Sequence, residues 1–185
     1  MVRRTTQGPV AVLDRRRFLA AATALVAAGA LPVRVLAFAG PQTVTLGSVE
    51  VTVLSDGVLC LPDGVIAPQA DPGALNAQLS AAGVKIADGN IELTTTPVVI
   101  RDGDQTVLVD MGSGTLFQPT VGKLMDSIAA AGIDPAAITR VVFTHAHPDH
   151  LFGVADAAGA LHKPGATYHI GATEHGFWAD PGIFG

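Results

Sequence analysis

Thr144-His145-Ala146-His147-Pro148-Asp149-His150 places three of the chain's six histidines and a carboxylate in one short stretch behind the apolar run Val141-Val142-Phe143. Imidazole nitrogens and carboxylate oxygens are the donors a zinc-like cation takes, at about 2.0–2.2 Å. In an extended segment residues two apart face the same way, so His145 and His147 can point together at one cation from the end of a strand. Pro148 fixes its own φ and pushes His147 out of helical geometry, so the chain turns there and re-aims Asp149 and His150 at a neighbouring position. Two adjacent ions would be served by that donor set. The competing reading is a solvated loop whose imidazoles act as hydrogen-bonding tips, and four donors in six residues favour metal over it.

The elements that must carry this loop can be read on either side of it. Arg140 to Phe143 reads as a short buried strand, preceded by Asp134-Pro135 as a single helical turn with Pro at its first position. Upstream, Val121, Leu124, Met125, Ile128 and Ala129 recur at helical spacing, with Thr120 as expected N-cap and Gly132 as the stop. Ile91 to Arg101 and Gln105 to Asp110 read as strands joined by Asp102-Gly103-Asp104, with Gly112-Ser113-Gly114 as the sharp turn that follows. Gln42 to Leu46 and Val49 to Ser55 read as a first hairpin, and Val58 to Leu61 as a further short strand. Pro62 to Pro72 reads as a loop, Ala74 to Ala82 as a short helix ended by Gly83, Ala166 to Ile170 as a strand, and Thr173 as the cap of a last helix through Trp178. Leu151-Phe152-Gly153-Val154 is expected to pack beneath the ligands.

A chain of 185 residues has length for one domain with a sizeable core. Six of its 11 basic residues but only Asp14 among its 16 acidic ones precede residue 40, leaving five basic against fifteen acidic residues beyond. A surface that acidic repels nucleic acid and anionic membranes, so neither is an expected partner. Cys60 is alone, so no intrachain disulfide can form.

Residues 1–39 read as an address. Asp14-Arg15-Arg16-Arg17-Phe18-Leu19 opens the apolar run Ala20 to Leu31, closed by Ala37-Phe38-Ala39. Basic, apolar and small-x-small regions in that order make a secretory signal, and the arginine pair before Phe-Leu resembles the bacterial twin-arginine type. The apolar run is near a dozen residues, short of the ~20 that span a bilayer. The expectation is a signal over 1–39, export through the twin-arginine machinery to the periplasm or beyond, and a domain over 40–185.

Strand, Gly-turn, amphipathic helix, buried strand and the Thr-His-Ala-His-Pro-Asp-His loop together resemble the metallo-β-lactamase superfamily, whose members carry H-x-H-x-D-H after such a strand. Val107-Leu108-Val109-Asp110-Met111-Gly112 is similar to the family's strand ending in Asp-x-Gly. Gly114-Thr115-Leu116-Phe117 and the exported N-terminus look most like the group of methyl parathion hydrolase and acyl-homoserine lactonases. The resemblance implies an α/β (α+β) fold, the N-terminal half of an αββα sandwich. It implies His145 and His147 as ligands of a first zinc, Asp149 and His150 as ligands of a second, and Asp149 as the catalytic residue that holds or deprotonates a bridging water. Hydrolysis of an ester, lactone, amide or phosphoester of a small molecule is the implied chemistry. Iron-based oxidation is the third reading; flavin-linked diiron relatives usually carry a carboxylate where Ala146 stands, so hydrolysis is preferred. Asp110 can either reach the site or hydrogen-bond its own turn. His162, His169 and His175 read as surface or strand residues.

Family members complete both metal positions with a further His, a bridging Asp and a final His far downstream, whereas 35 residues follow His150 here. The expectation is therefore a fragment of an exported dinuclear hydrolase, with a non-catalytic metal-binding or interaction protein of this fold as the alternative. Either way a sheet face would lack its cover and favour self-association. If the export signal is of the twin-arginine type, replacing Arg15 and Arg16 by Lys should abolish export, because Lys lacks the planar guanidinium fork. Unchanged periplasmic yield of that variant would overturn the assignment.

Overall fold

Period-two alternation of Val, Ile and Thr in the first half of the chain builds strands, and the computed structural model, which describes residues 40–183, shows how they pair. The described residues fall in a unit spanning Val35–Gly185; the signal expected over 1–39 lies outside them. In chain order the elements are β1 (Gln42–Leu46), β2 (Val49–Val53), β3 (Gly57–Pro62), a one-turn α1 (Asp63–Ile66), α2 (Pro72–Ala81), β4 (Ile86–Ala87), β5 (Asn90–Thr95), β6 (Val98–Asp102) and β7 (Gln105–Val109). There follow α3 (Leu124–Ala130), a 3-10 turn at Pro135–Ala137, β8 (Arg140–Val142), α4 (Pro148–Leu151) with a 3-10 turn at Phe152–Val154, β9 (Thr167–His169), α5 (Ala172–Trp178) and a 3-10 turn at Pro181–Ile183. A six-stranded sheet runs β1-β2-β6-β7-β8-β9, and a three-stranded sheet runs β3-β5-β4. β7, β8 and β9 are parallel neighbours, the other pairs antiparallel, giving the expected mixed α/β architecture.

The core lies on one face of the larger sheet. Leu54, Val99, Leu108 and Val141 pack there against Leu124 and Ile128 of α3 and against Met111, Ile133, Ile138 and Phe143. The pairing register puts Val44 and Leu46 of β1, Val49, Val51 and Val53 of β2, Val98 and Ile100 of β6, Val107 and Val109 of β7 and Val142 of β8 on the opposite face. None of these ten is buried, and Val44 and Leu46 are 55% and 65% exposed. Among the described residues that apolar face has no second layer.

Six expectations are corrected. Ile91 to Arg101 is two strands in different sheets, because Pro97 has no N–H for a ladder, and its carbonyl instead accepts from Leu54 N–H at 2.8 Å where the chain passes between sheets. The α3 helix starts at Leu124, and its buried residues are Leu124, Ser127 and Ile128, with Met125 43% exposed. Thr120 does not cap it; its carbonyl is taken by Val58 N–H. Thr173 lies inside α5, which Gly171 precedes as N-cap. The α2 helix begins at Pro72, since the Asp71 carboxylate caps it by accepting Ala74 N–H at 2.8 Å, and the stretch read as a plain loop holds α1.

What caps α3 is Asp56, fully buried. Its carboxylate accepts Leu124 N–H at 3.1 Å and Ser113 N–H at 2.7 Å, and its main-chain oxygen accepts Lys123 N–H at 2.9 Å. One side chain thus ties the turn after β7 to the start of α3, and a side chain at Gly112 would collide with its carboxyl group. Asp56→Ala leaves two buried N–H groups without an acceptor at about 1–3 kcal/mol each, so urea unfolding should show a loss of about 2–5 kcal/mol. Asp56→Asn, which keeps an acceptor oxygen, should lose less. An alanine variant within ~0.5 kcal/mol of the parent, the range of neutral surface changes, would refute this role.

Candidate metal centre

Strand β8 ends where its buried Val141 and the following Phe143 are anchored in the core, and the chain then emerges as Thr144 to His147. Pro148 starts the single turn of α4, with His147 extended before it at φ −66° and ψ 153°. His145 and His147 lie ring to ring at 4.5 Å between centroids, and His145 and His150 at 4.0 Å. His150 Nε2 is 3.2 Å from Asp149 Oδ2. All four residues proposed as ligands from sequence are therefore brought together in one cluster: His147 is exposed and His145, Asp149 and His150 half-buried. The turn beneath them is fixed by Met111 N–H donating to the His150 carbonyl at 2.8 Å and Gly153 N–H to the Gly112 carbonyl at 3.0 Å.

Asp110 reaches the site. It sits just past β7 with φ +61°, a left-handed conformation that Asp tolerates better than most residues. Its Oδ1 accepts Thr144 N–H at 2.9 Å, and its Oδ2 accepts the Thr144 hydroxyl at 2.9 Å and His150 Nδ1 at 2.8 Å. Because the Thr144 proton goes to Asp110, Thr144 Oγ1 is left to accept from His145 Nδ1, 3.0 Å away. Both imidazoles are thereby assigned a donor at Nδ1, while Nε2 of His150 faces the Asp149 carboxylate. A carboxylate behind an imidazole in this way is the usual support of a metal-ligating histidine.

The donor chemistry fits a cation. Four ligands at about 2.0–2.2 Å around a tetrahedral ion stand about 3.3–3.6 Å from one another, close to the 3.2 Å between Asp149 Oδ2 and His150 Nε2. Among the described residues, however, no three His, Cys, Asp or Glu side chains form a group that could hold an ion.

Four residues missed in the sequence border the cluster. Glu174 of α5 accepts Ala146 N–H and Trp178 Nε1–H, each at 2.8 Å, on its Oε1. The Ala146 bond, then the Trp178 bond, then the nearby His145 and His147 hold its carboxyl below the ordinary glutamate value. Thr94, Thr95 and Thr96 at the end of β5 line a recess of about 110 Å³ with Pro97, Asp110, Asp149 and His150. His162, His169 and His175 are exposed; His162 borders a recess beside Asp56, and His169 and His175 border an apolar one beside Trp178. No described helix is long and apolar enough to cross a membrane.

Residues 91–182 match the family profile of the metallo-beta-lactamase superfamily. Among solved structures the chain is similar to AidC, a dizinc quorum-quenching lactonase determined with the product N-hexnoyl-L-homoserine, with TM-score 0.68 and 30% identity over 75% of this chain and 47% of AidC. It shares its fold with the hydrolase AbOPH of the beta lactamase superfamily, with TM-score 0.67 and 24% identity over 77% of this chain and 48% of that one. Ribonuclease Z of Pyrococcus furiosus is 38% identical over 64 residues, 35% of this chain and 18% of that enzyme. The chain thus spans about half the length of these two solved relatives and less of the curated one.

If Thr144 and Asp110 hold the Nδ1 protons, nitrogen-15 spectra of the metal-free chain should show His145 and His150 with a proton on Nδ1. Asp110→Ala should lose that preference at His150 and bind zinc about 10–100-fold more weakly, as removal of such a supporting carboxylate typically does. A bare Nδ1 on either ring in the parent would refute the assignment.

Proposed function

We propose, because the chain carries a metallo-beta-lactamase superfamily domain, that it is an exported, metal-dependent hydrolase of a small-molecule ester, lactone or phosphoester. The observation that supports this best is the cluster of His145, His147, Asp149 and His150, with the Nδ1 atoms of His145 and His150 turned to Thr144 and Asp110. His145 and His147 would hold one zinc ion, and Asp149 and His150 a second. Zinc, when bound, supplies the Lewis acidity that makes water nucleophilic near neutral pH and polarises the scissile carbonyl or phosphoryl group.

The chain's own residues do the remainder. Asp149, half-buried beside His150, is the acceptor for a proton from the attacking water. Asp110 holds the imidazole of His150 in place while that proton moves, because its carboxylate is committed to three donors. The recess bounded by Thr94 to Pro97 opens on Asp149 and His150 and would take the polar part of a substrate next to them. A lactone is the favoured substrate class within this reading, since the relative with 30% identity is a lactonase with its opened product bound.

The ten-residue apolar face of the larger sheet supports the further reading that the chain associates with itself. The arginine pair of residues 15 and 16 supports export to the periplasm.

Elemental analysis of the purified chain should find zinc or a similar ion, and His145→Ala/His147→Ala should lose most of it. The zinc-loaded chain should open a lactone ring faster than it cleaves a thioester or phosphotriester, at a rate below the ~1–1000 per second typical of enzymes, given the partial ligand set. Light scattering on the same sample should give a dimer or larger species. Equal metal content in parent and variant would overturn the metal assignment, absence of lactone cleavage the substrate class, and a monomer the self-association.

A further inference from the structure

The centre described above leaves one half-buried carboxylate unassigned, that of Glu174, and it bonds to the peptide between the two histidines of the loop. Ala146 is 6% exposed and follows the end of β8, so its N–H has no strand beside it to donate to. Glu174 Oε1 accepts that N–H at 2.8 Å and, on the same oxygen, Trp178 Nε1–H at 2.8 Å. Residues 174 and 178 are one helical turn apart on α5, so the indole holds the carboxylate from its own helix while the carboxylate holds the loop. The Trp178 ring also meets His147 edge to face at 6.5 Å, and Ala146 and Trp178 line the same apolar recess.

We propose that Glu174 is the positioning residue of this centre: by accepting the Ala146 N–H it fixes the peptide plane between His145 and His147, so that both imidazoles leave the loop on the same side. The proposal rests on the metal-centre reading for its functional meaning. The physical reason is that side chains two apart share a face only while the segment stays extended. A rotation of the Ala146 plane would separate the two imidazoles, and ligands held in place before binding bind more tightly than ligands that must be ordered. Glu174 acts through the main chain. Its Oε1 is committed to two N–H donors, one from the loop and one from its own helix.

The test uses the full chain and the variants Glu174→Ala and Glu174→Gln, since Gln keeps an acceptor oxygen where Ala has none. Hydrogen exchange of the Ala146 amide and the Trp178 indole N–H in the metal-free protein is the first readout. Protection is expected in the parent and in Glu174→Gln, with loss at Ala146 in Glu174→Ala. The second readout is Co²⁺ uptake, followed by its visible absorption and by quenching of Trp178, the chain's single tryptophan. Glu174→Ala should bind Co²⁺ about 10–100-fold more weakly, the usual effect of losing a residue that supports ligands, and Glu174→Gln should recover most of the affinity. An unprotected Ala146 amide in the parent overturns the proposal even if Glu174→Ala does not fold, and so does equal Co²⁺ affinity in parent and Glu174→Ala. If the parent takes up no Co²⁺ while the exchange pattern holds, the hydrolase reading fails and the constraint on the loop stands.

Discussion

The carboxylate of Asp110 joins the ends of two neighbouring parallel strands, and the candidate centre hangs from that join. Strands β7 and β8 pair through Val107, Leu108 and Val109 against Arg140, Val141 and Val142, and the ladder continues one step further as Asp110 N–H donates to the Val142 carbonyl. The peptide bonds then run out, and the side chain takes over: Asp110 accepts the Thr144 N–H that a longer strand would have paired, the Thr144 hydroxyl, and His150 Nδ1. Charge-assisted bonds of this kind are shorter and stronger than neutral ones. Because the three donors come from both sides of the loop, one carboxylate fixes where the loop leaves the sheet and where it returns.

Asp56 solves the same problem at the other end of the connection after β7. There the orphan donors are Ser113 N–H, in the turn, and Leu124 N–H, at the first turn of α3. Four free N–H groups at a helix start need acceptors, and Lys123, the residue at the cap position, offers no side-chain acceptor of its own. The cap arrives from a residue 68 positions earlier. Two buried carboxylates thus bracket one connection, Asp56 satisfied by main-chain donors and Asp110 by one main-chain and two side-chain donors, and the glycines between them are the places where the backbone comes too close for a side chain.

This explains which parts of the molecule were legible in the sequence. Strand positions β1, β2 and β7 were readable because alternation is local, and so was the donor loop, because its four donors lie within six residues. The 3-10 turn at Pro135–Ala137 was readable for the same reason: Asp134 caps it two residues away, accepting Ala136 N–H at 2.8 Å. The start of α3 was misplaced because its cap is remote, and the sequence offered Thr120 as a nearer candidate with the right chemistry. Asp56 and Glu174 escaped the sequence reading, since nothing local marks an acid whose partner lies 57 or 28 residues away. The break at Pro97 was the exception, a local signal that an otherwise continuous apolar run concealed.

The shortness of the elements around the centre makes these remote bonds decisive. A helix of four residues such as α4 cannot be stable alone, since nucleation fixes several dihedrals for a single hydrogen bond. Its conformation therefore comes from outside: Met111 N–H on the His150 carbonyl, Gly153 packed against the Met111 main chain where no side chain would fit, and Asp110 on the His150 ring. On the opposite side α5, only seven residues long, is tied back through Glu174. The core behind the loop is rigid by burial, with Val141 fully buried and Phe143 6% exposed, so motion of the donors is confined to what the polar bonds permit. A centre built this way can be loosened one histidine at a time without unfolding the sheet, because the carboxylates that orient the loop are distinct from the apolar contacts that hold the strands.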